Sequence, residues 1–143
     1  MDSNICFYNE DVTYRLLYKE RIRLWLLDAI KQEKKQVGNI SFVFCSDEYL
    51  LEINRQYLSA DYLTDVITFD FTEENNISGD VFISVDRVKE NAKQYKQKYF
   101  HEMLRVIIHG VLHLLGYKDK TEEEIKQMRE KEDYYLRKLE TTD

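Results

Sequence analysis

Apolar positions along the chain switch between two periods. From Lys19 to about Lys34, Ile22, Trp25, Leu26, Ala29 and Ile30 recur every three or four residues, which predicts an amphipathic helix. Asn4 to Tyr8 reads as a short strand. Ile40 to Cys45 reads as another, because β-branched and aromatic residues suit a pleated surface. Residues 11–18 fit neither period, and Val37-Gly38-Asn39 reads as a stop and a turn. Ser46 stands as an N-cap ahead of Leu50, Ile53, Asn54 and Tyr57 on one helical face. Asp65 to Phe71 alternates, with Ile67, Phe69 and Phe71 on one side and Val66 and Thr68 on the other, the mark of a half-buried strand. Thr72 to Ser78 is a polar loop, and Gly79-Asp80 leads into a strand from Val81 to Val85. The period is helical beyond it. One helix runs from about Asp86 to Lys96 and a second from about Tyr99 to Leu115, stopped by Gly116. A Thr-x-x-Glu capping box, Thr121 to Glu124, opens a last helix to about Leu139. Strands and helices interleave without regular βαβ repetition. The expected fold is therefore α+β: a single domain, residues 1–143, with a small mixed β-sheet covered by helices.

Composition narrows the class. A chain of 143 residues with 43% hydrophobic positions can fill one core, which excludes a disordered protein. It has no Pro, only four Gly and no repeat, so no linker is expected. The longest apolar stretch, Met103 to Leu115, is broken by Arg105 and two His and falls short of the about 20 residues of a membrane span. No basic region followed by an apolar run opens the chain, so no secretory signal is expected. Cys6 and Cys45 form no CxxC pair and read as buried, reduced thiols of a cytoplasmic protein. A net charge of −6 is not that of a general nucleic-acid binder, and DNA is not expected as a partner. Charge is uneven, however. Between Ser84 and Arg105 lie six basic residues against Asp86, Glu90 and Glu102. Among them Lys89, Lys93 and Lys96 share one helical face that suits an RNA backbone, although a merely solvated face explains them as simply.

The chemistry is concentrated in His109-Gly-Val-Leu-His113-Leu-Leu-Gly116-Tyr-Lys-Asp119. Two His four apart project from one helical face, about 5–6 Å apart at Cβ. Both neutral imidazoles can then reach a zinc ion at about 2.0–2.1 Å. Two of the chain's three His lie in this otherwise Val, Ile and Leu helix, where unpartnered imidazoles would be costly to bury. Gly116 ends the helix, and Asp119 arrives on the return loop as a carboxylate ligand. Lys118 and Lys120 beside it are cations and cannot coordinate. The remaining His101 sits eight residues before His109, about 12 Å along the helix, and reads as a surface or packing residue. Three protein ligands, His109, His113 and Asp119, leave one tetrahedral position open. That marks a catalytic zinc, one per chain, at which water ionises near neutrality.

Metzincin peptidases share this spacing but place a general-base Glu after the first His. Here that residue is Gly110, which transfers no proton, so the peptidase reading is disfavoured. The stretch resembles instead the H-G-x-L-H-L-x-G-Y-D-H signature of the YbeY family of bacterial metal-dependent endoribonucleases. Asn54 and Tyr57, Thr64 to Phe69, Gly79 to Ser84, Asn91-Ala92, and Met128, Glu132 and Leu136 also look like that family's pattern, from about Leu50 to Leu136. The resemblance implies zinc-dependent cleavage of single-stranded RNA in 16S rRNA 3′-end maturation and ribosome quality control. The partners it implies are the 16S rRNA precursor and the small ribosomal subunit. The competing expectation is a non-catalytic, zinc-stabilised ribosome-associated factor. The chain departs from the pattern in places. Asp119 stands at the third His, Leu58 at an Arg thought to help cleavage, and Leu63 and Asp70 at two Pro. Arg55, one turn before Leu58, is the nearest substitute cation on that helix. Asp65 and Asp80 read either as turn formers or as carboxylates that orient a ligand His.

Overall fold

Alternation along the strands sorts the two faces of the sheet. In a computed structural model that describes residues 4–141, β1 (Ile5–Asn9), β2 (Gln36–Cys45), β3 (Val66–Asp70) and β4 (Asn76–Ser84) form one sheet in the order β1-β2-β4-β3. Residues 1–3 and 142–143 of the expected domain lie outside the described residues. β1 and β2 pair in parallel, as do β2 and β4, and β3 runs antiparallel to β4. Ile5, Ile40, Phe42, Phe44, Val81 and Ile83 point into one core with α1 (Lys19–Gln32), α4 (Tyr99–Leu114) and Met128 and Tyr135 of α5 (Glu122–Thr141). The other face packs Cys45 and Ile67 against Leu50 and Ile53 of α2 (Asp47–Leu58). The fold is the expected α+β arrangement, with one parallel β-α-β unit at its start.

Local chemistry explains where the elements begin and end. The Ser46 hydroxyl accepts from the Tyr49 amide at 3.1 Å and caps α2. Ser84 does the same for α3 (Val85–Gln94) through Arg87. Thr121 and Glu124 exchange the two bonds of the capping box, at 3.1 and 3.0 Å.

Three expectations are corrected. Val37-Gly38-Asn39 is no turn. β2 runs through it with a register irregularity, and the reversal falls earlier, where Lys34 takes a left-handed φ of 64°. The loop expected to Ser78 is shorter, because β4 starts at Asn76 after a tight hairpin closed by Glu73 and Asn76. Phe71 lies past the end of β3 and is exposed, whereas Ile67 and Phe69 pack against α2. Among the described residues the two cysteines form no disulfide; Cys45 is buried, which pushes its thiol up to about 12, and Cys6, expected buried, is only half-buried.

Candidate metal centre

α4 is the most apolar helix, pressed into the core along most of its length. It approaches β4 closely at Gly110, where a Cβ would stand 2.6 Å from Val81 Cγ1. That position faces the sheet, so no acid there could serve the cluster, in keeping with the disfavoured peptidase reading. The adjacent face carries His109 and His113, their ring centroids 4.6 Å apart and nearly perpendicular.

After α4 the chain reverses through Gly116, whose φ of 104° is strained for any residue with a side chain. Gly116 donates to the His113 carbonyl and Tyr117 to the Leu112 carbonyl, both at 3.0 Å, the paired bonds of a Schellman motif. This turn brings the Tyr117 carbonyl back over the helix end, 3.1 Å from His113 Nδ1. It also delivers Asp119, whose Oδ2 lies 3.3 Å from His109 Nε2 and 3.2 Å from His113 Nε2.

These spacings fit a small tetrahedral ion. Two donors each about 2.0–2.1 Å from such an ion stand roughly 3.3–3.4 Å apart. His109, His113 and Asp119 each offer one ligand atom, all within 4.8 Å of one another. The tautomers fit as well. Both Nδ1 atoms face acceptors, Glu132 for His109 and the Tyr117 carbonyl for His113, so protons there leave both Nε2 lone pairs toward the common point.

Glu132 is the functional residue whose role sequence reasoning missed. It is 4% exposed and accepts from His109 Nδ1 at 2.6 Å and from Arg105 Nη1 at 2.8 Å. Arg105 also donates to Asp133, which braces α4 against α5. Burial works against charging His109, but the bond and charge of Glu132 outweigh it and raise its basicity. Burial, then the neighbouring imidazole, lower that of His113. The signal for Glu132 was an acid on the apolar face of α5, in line with the buried Met128 and Tyr135.

A cleft of about 610 Å³ opens beside the cluster, lined among others by Asp65, Asn91, Tyr95, Arg105, His109, Asp119, Arg129 and Glu132. Asp65 bonds Asn91 at 3.3 Å rather than a His, and burial raises its carboxyl. Asp80 sits within β4 opposite Phe69 and does not line the cleft. Lys89 and Lys93 lie exposed on α3, Lys96 lies past its end with a left-handed φ, and none of the three lines the cleft, which takes Asn91 and Tyr95 from this part of the chain. Leu58 is exposed at the end of α2, and Arg55 is held by Asp61 at 2.6 Å, so neither puts a cation into the cleft. His101 is exposed on α4.

A mixed sheet whose covering helix, with the turn that follows it, presents two imidazoles and a carboxylate to one point has the build of a small metal-dependent hydrolase. The family model described as Endoribonuclease YbeY matches residues 4–140, and the chain belongs to the YbeY family. The Endoribonuclease YbeY of Cytophaga hutchinsonii is 49% identical over 136 residues, covering 94% of this chain and 95% of its own. That of Parabacteroides distasonis is 47% identical over 132 residues, 92% and 93% of the two chains. A solution structure of a Thermotoga maritima protein superposes with a TM-score of 0.69 at 31% identity, covering 94% of this chain and 88% of that one.

Proposed function

We propose that this chain is a zinc-dependent endoribonuclease specific for single strands, acting on the 16S rRNA 3′ end of small-subunit precursors in the cytoplasm and in ribosome quality control. One zinc per chain is held by His109, His113 and Asp119. The observation that carries this reading is the convergence of two Nε2 atoms and one carboxylate oxygen beside an open cleft, in a chain whose relatives are named endoribonucleases.

A zinc held there supplies Lewis acidity to a phosphoryl oxygen and the means to ionise water near neutrality. The chain's own residues do the rest. Glu132 and the Tyr117 carbonyl keep the protons on the two Nδ1 atoms and fix both rings. Asp119 adds a negative charge that a third imidazole would not, which weakens the electrophile and predicts slow turnover. Among the described residues, no helix is long and apolar enough to cross a membrane.

The test compares wild type with His109→Ala/His113→Ala protein, purified identically, on a single-stranded RNA containing the 3′ end of 16S rRNA. Cleavage by the wild type alone supports the reading. Cleavage by both would reveal a contaminant. Intact RNA with both, in a protein that holds zinc and binds the small subunit, would leave the non-catalytic factor.

Two further results are expected. Asp119→Ala should weaken zinc binding in a competition titration while Asp119→His retains it, since an imidazole can take the same place in the turn. Equal affinity in the Ala variant would show that Asp119 is no ligand. Lys89, Lys93 and Lys96, proposed as RNA contacts, act from outside the cleft. Reversing all three should lower the salt dependence of RNA binding by less than the roughly 2 units in log–log slope that three direct single-strand contacts cost. A full drop would place the RNA across α3.

A further inference from the structure

A second cavity adjoins the metal cleft. It measures about 430 Å³, runs between α1, α4 and the later turns of α5, and shares Gln97, Glu102 and Arg105 with the cleft in its walls. The two lie side by side along α4 as a two-part channel divided by these shared residues.

The cations of this channel are not equivalent. Arg105 is engaged by Glu132 and Asp133, and Arg21 donates to the Leu139 carbonyl. Arg129, in the metal cleft, and Arg137, in the second cavity, are exposed and make no ion pair within 4 Å among the described residues, although the charge of Arg129 is felt by Glu102. They stand eight residues apart on α5, about 12 Å along its axis. Each cavity also has an exposed aromatic ring in its wall: Tyr95, 58% exposed, lines the metal cleft with Arg129, and Tyr18, 65% exposed and packed edge-on to Phe100, lines the second cavity with Arg137. A guanidinium fork matches phosphate oxygens, and an open phenol ring is a surface on which bases stack. The same pair of groups thus occurs twice, at a spacing a flexible strand can span. Five acids in these walls oppose a polyanion: burial raises the carboxyls of Glu102 and Asp65, Arg105 pairs with Glu132 and Asp133, and Asp119 belongs to the metal cluster.

We propose that a single RNA strand lies along this channel, with Arg129 and Tyr95 holding one nucleotide in the metal cleft and Arg137 and Tyr18 holding another beside α1. The proposal rests on the ribonuclease reading and adds to it a direction for the strand, toward α1 and away from α2.

The test is a fluorescence-anisotropy titration of a labelled, uridine-rich single-stranded RNA against the zinc-loaded protein at several salt concentrations, with RNA integrity checked on a gel. Arg129→Ala and Arg137→Ala should each lower the log–log salt slope by about 0.7, and the double variant by about 1.4. Arg129→Lys should keep the slope, because a cation remains. Tyr95→Ala and Tyr18→Ala should each weaken binding by roughly 5- to 150-fold with the slope unchanged. Arg55→Ala should change nothing, and zinc content should be equal throughout. If the wild type binds RNA but the double Arg variant shows the wild-type slope, the channel is overturned and the ribonuclease reading stands. If the wild type neither binds nor cleaves, both are overturned.

Discussion

His113→Ala protein is expected to leave dialysis almost free of metal, while wild type retains one ion per chain by elemental analysis. The side chain contributes one of three donor atoms, and the two that remain, on His109 and Asp119, leave half of a tetrahedral shell to water. Loss of a mere outer partner of a ligand costs about 10–100-fold in affinity, so loss of a ligand itself should exceed that range. The fold should survive. His113 is partly exposed, and its polar contacts among the described residues are to the Tyr117 carbonyl and within the cluster. Circular dichroism should therefore match wild type. Equal metal in variant and wild type would remove His113 from the site.

Glu132→Ala should produce the second-largest effect, and on two observables. It strips His109 Nδ1 of its acceptor, freeing the ring to turn and the tautomer to change, which should lower metal affinity about 10–100-fold. It also takes one of two acids from Arg105 at a site where Glu132 is almost wholly buried. Arg105 keeps Asp133, so the stability loss should be about 1–3 kcal/mol, less than for a buried charge left alone. Glu132→Gln should be milder on both counts, since its carbonyl can still accept from His109. Chemical denaturation and a chelator competition separate the two effects. Undiminished metal affinity in the Ala variant would reduce Glu132 to a structural partner of Arg105.

What could be read before the fold was known follows from the range of the signals. His109, His113, Gly116 and Asp119 lie within eleven consecutive residues, and helix geometry plus one glycine turn places all three donors. The capping residues Ser46 and Thr121 act over three residues and were legible for the same reason. Glu132 is 23 residues from His109 on another helix, and no local period connects them. Left-handed positions were hidden because they are taken by Lys34 and Lys96 rather than by glycine, while Gly38, which invited a turn, lies inside β2. The lysines failed to reach the cleft because Asn91 turns the opposite side of α3 toward it. Leu58 and Arg55 gave no warning of their distance from the cleft. α2 covers the sheet face away from α4, a matter of topology rather than of pattern.

Metal restoration tests the central claim most directly. Wild-type protein is stripped with a chelator, and cleavage of the single-stranded 16S rRNA 3′-end substrate is followed before and after adding one equivalent of zinc, with His113→Ala protein treated in parallel. The account predicts no cleavage by stripped protein, recovery at one equivalent in the wild type and none in the variant. Cleavage that persists after stripping, or that zinc restores equally in the variant, would contradict it.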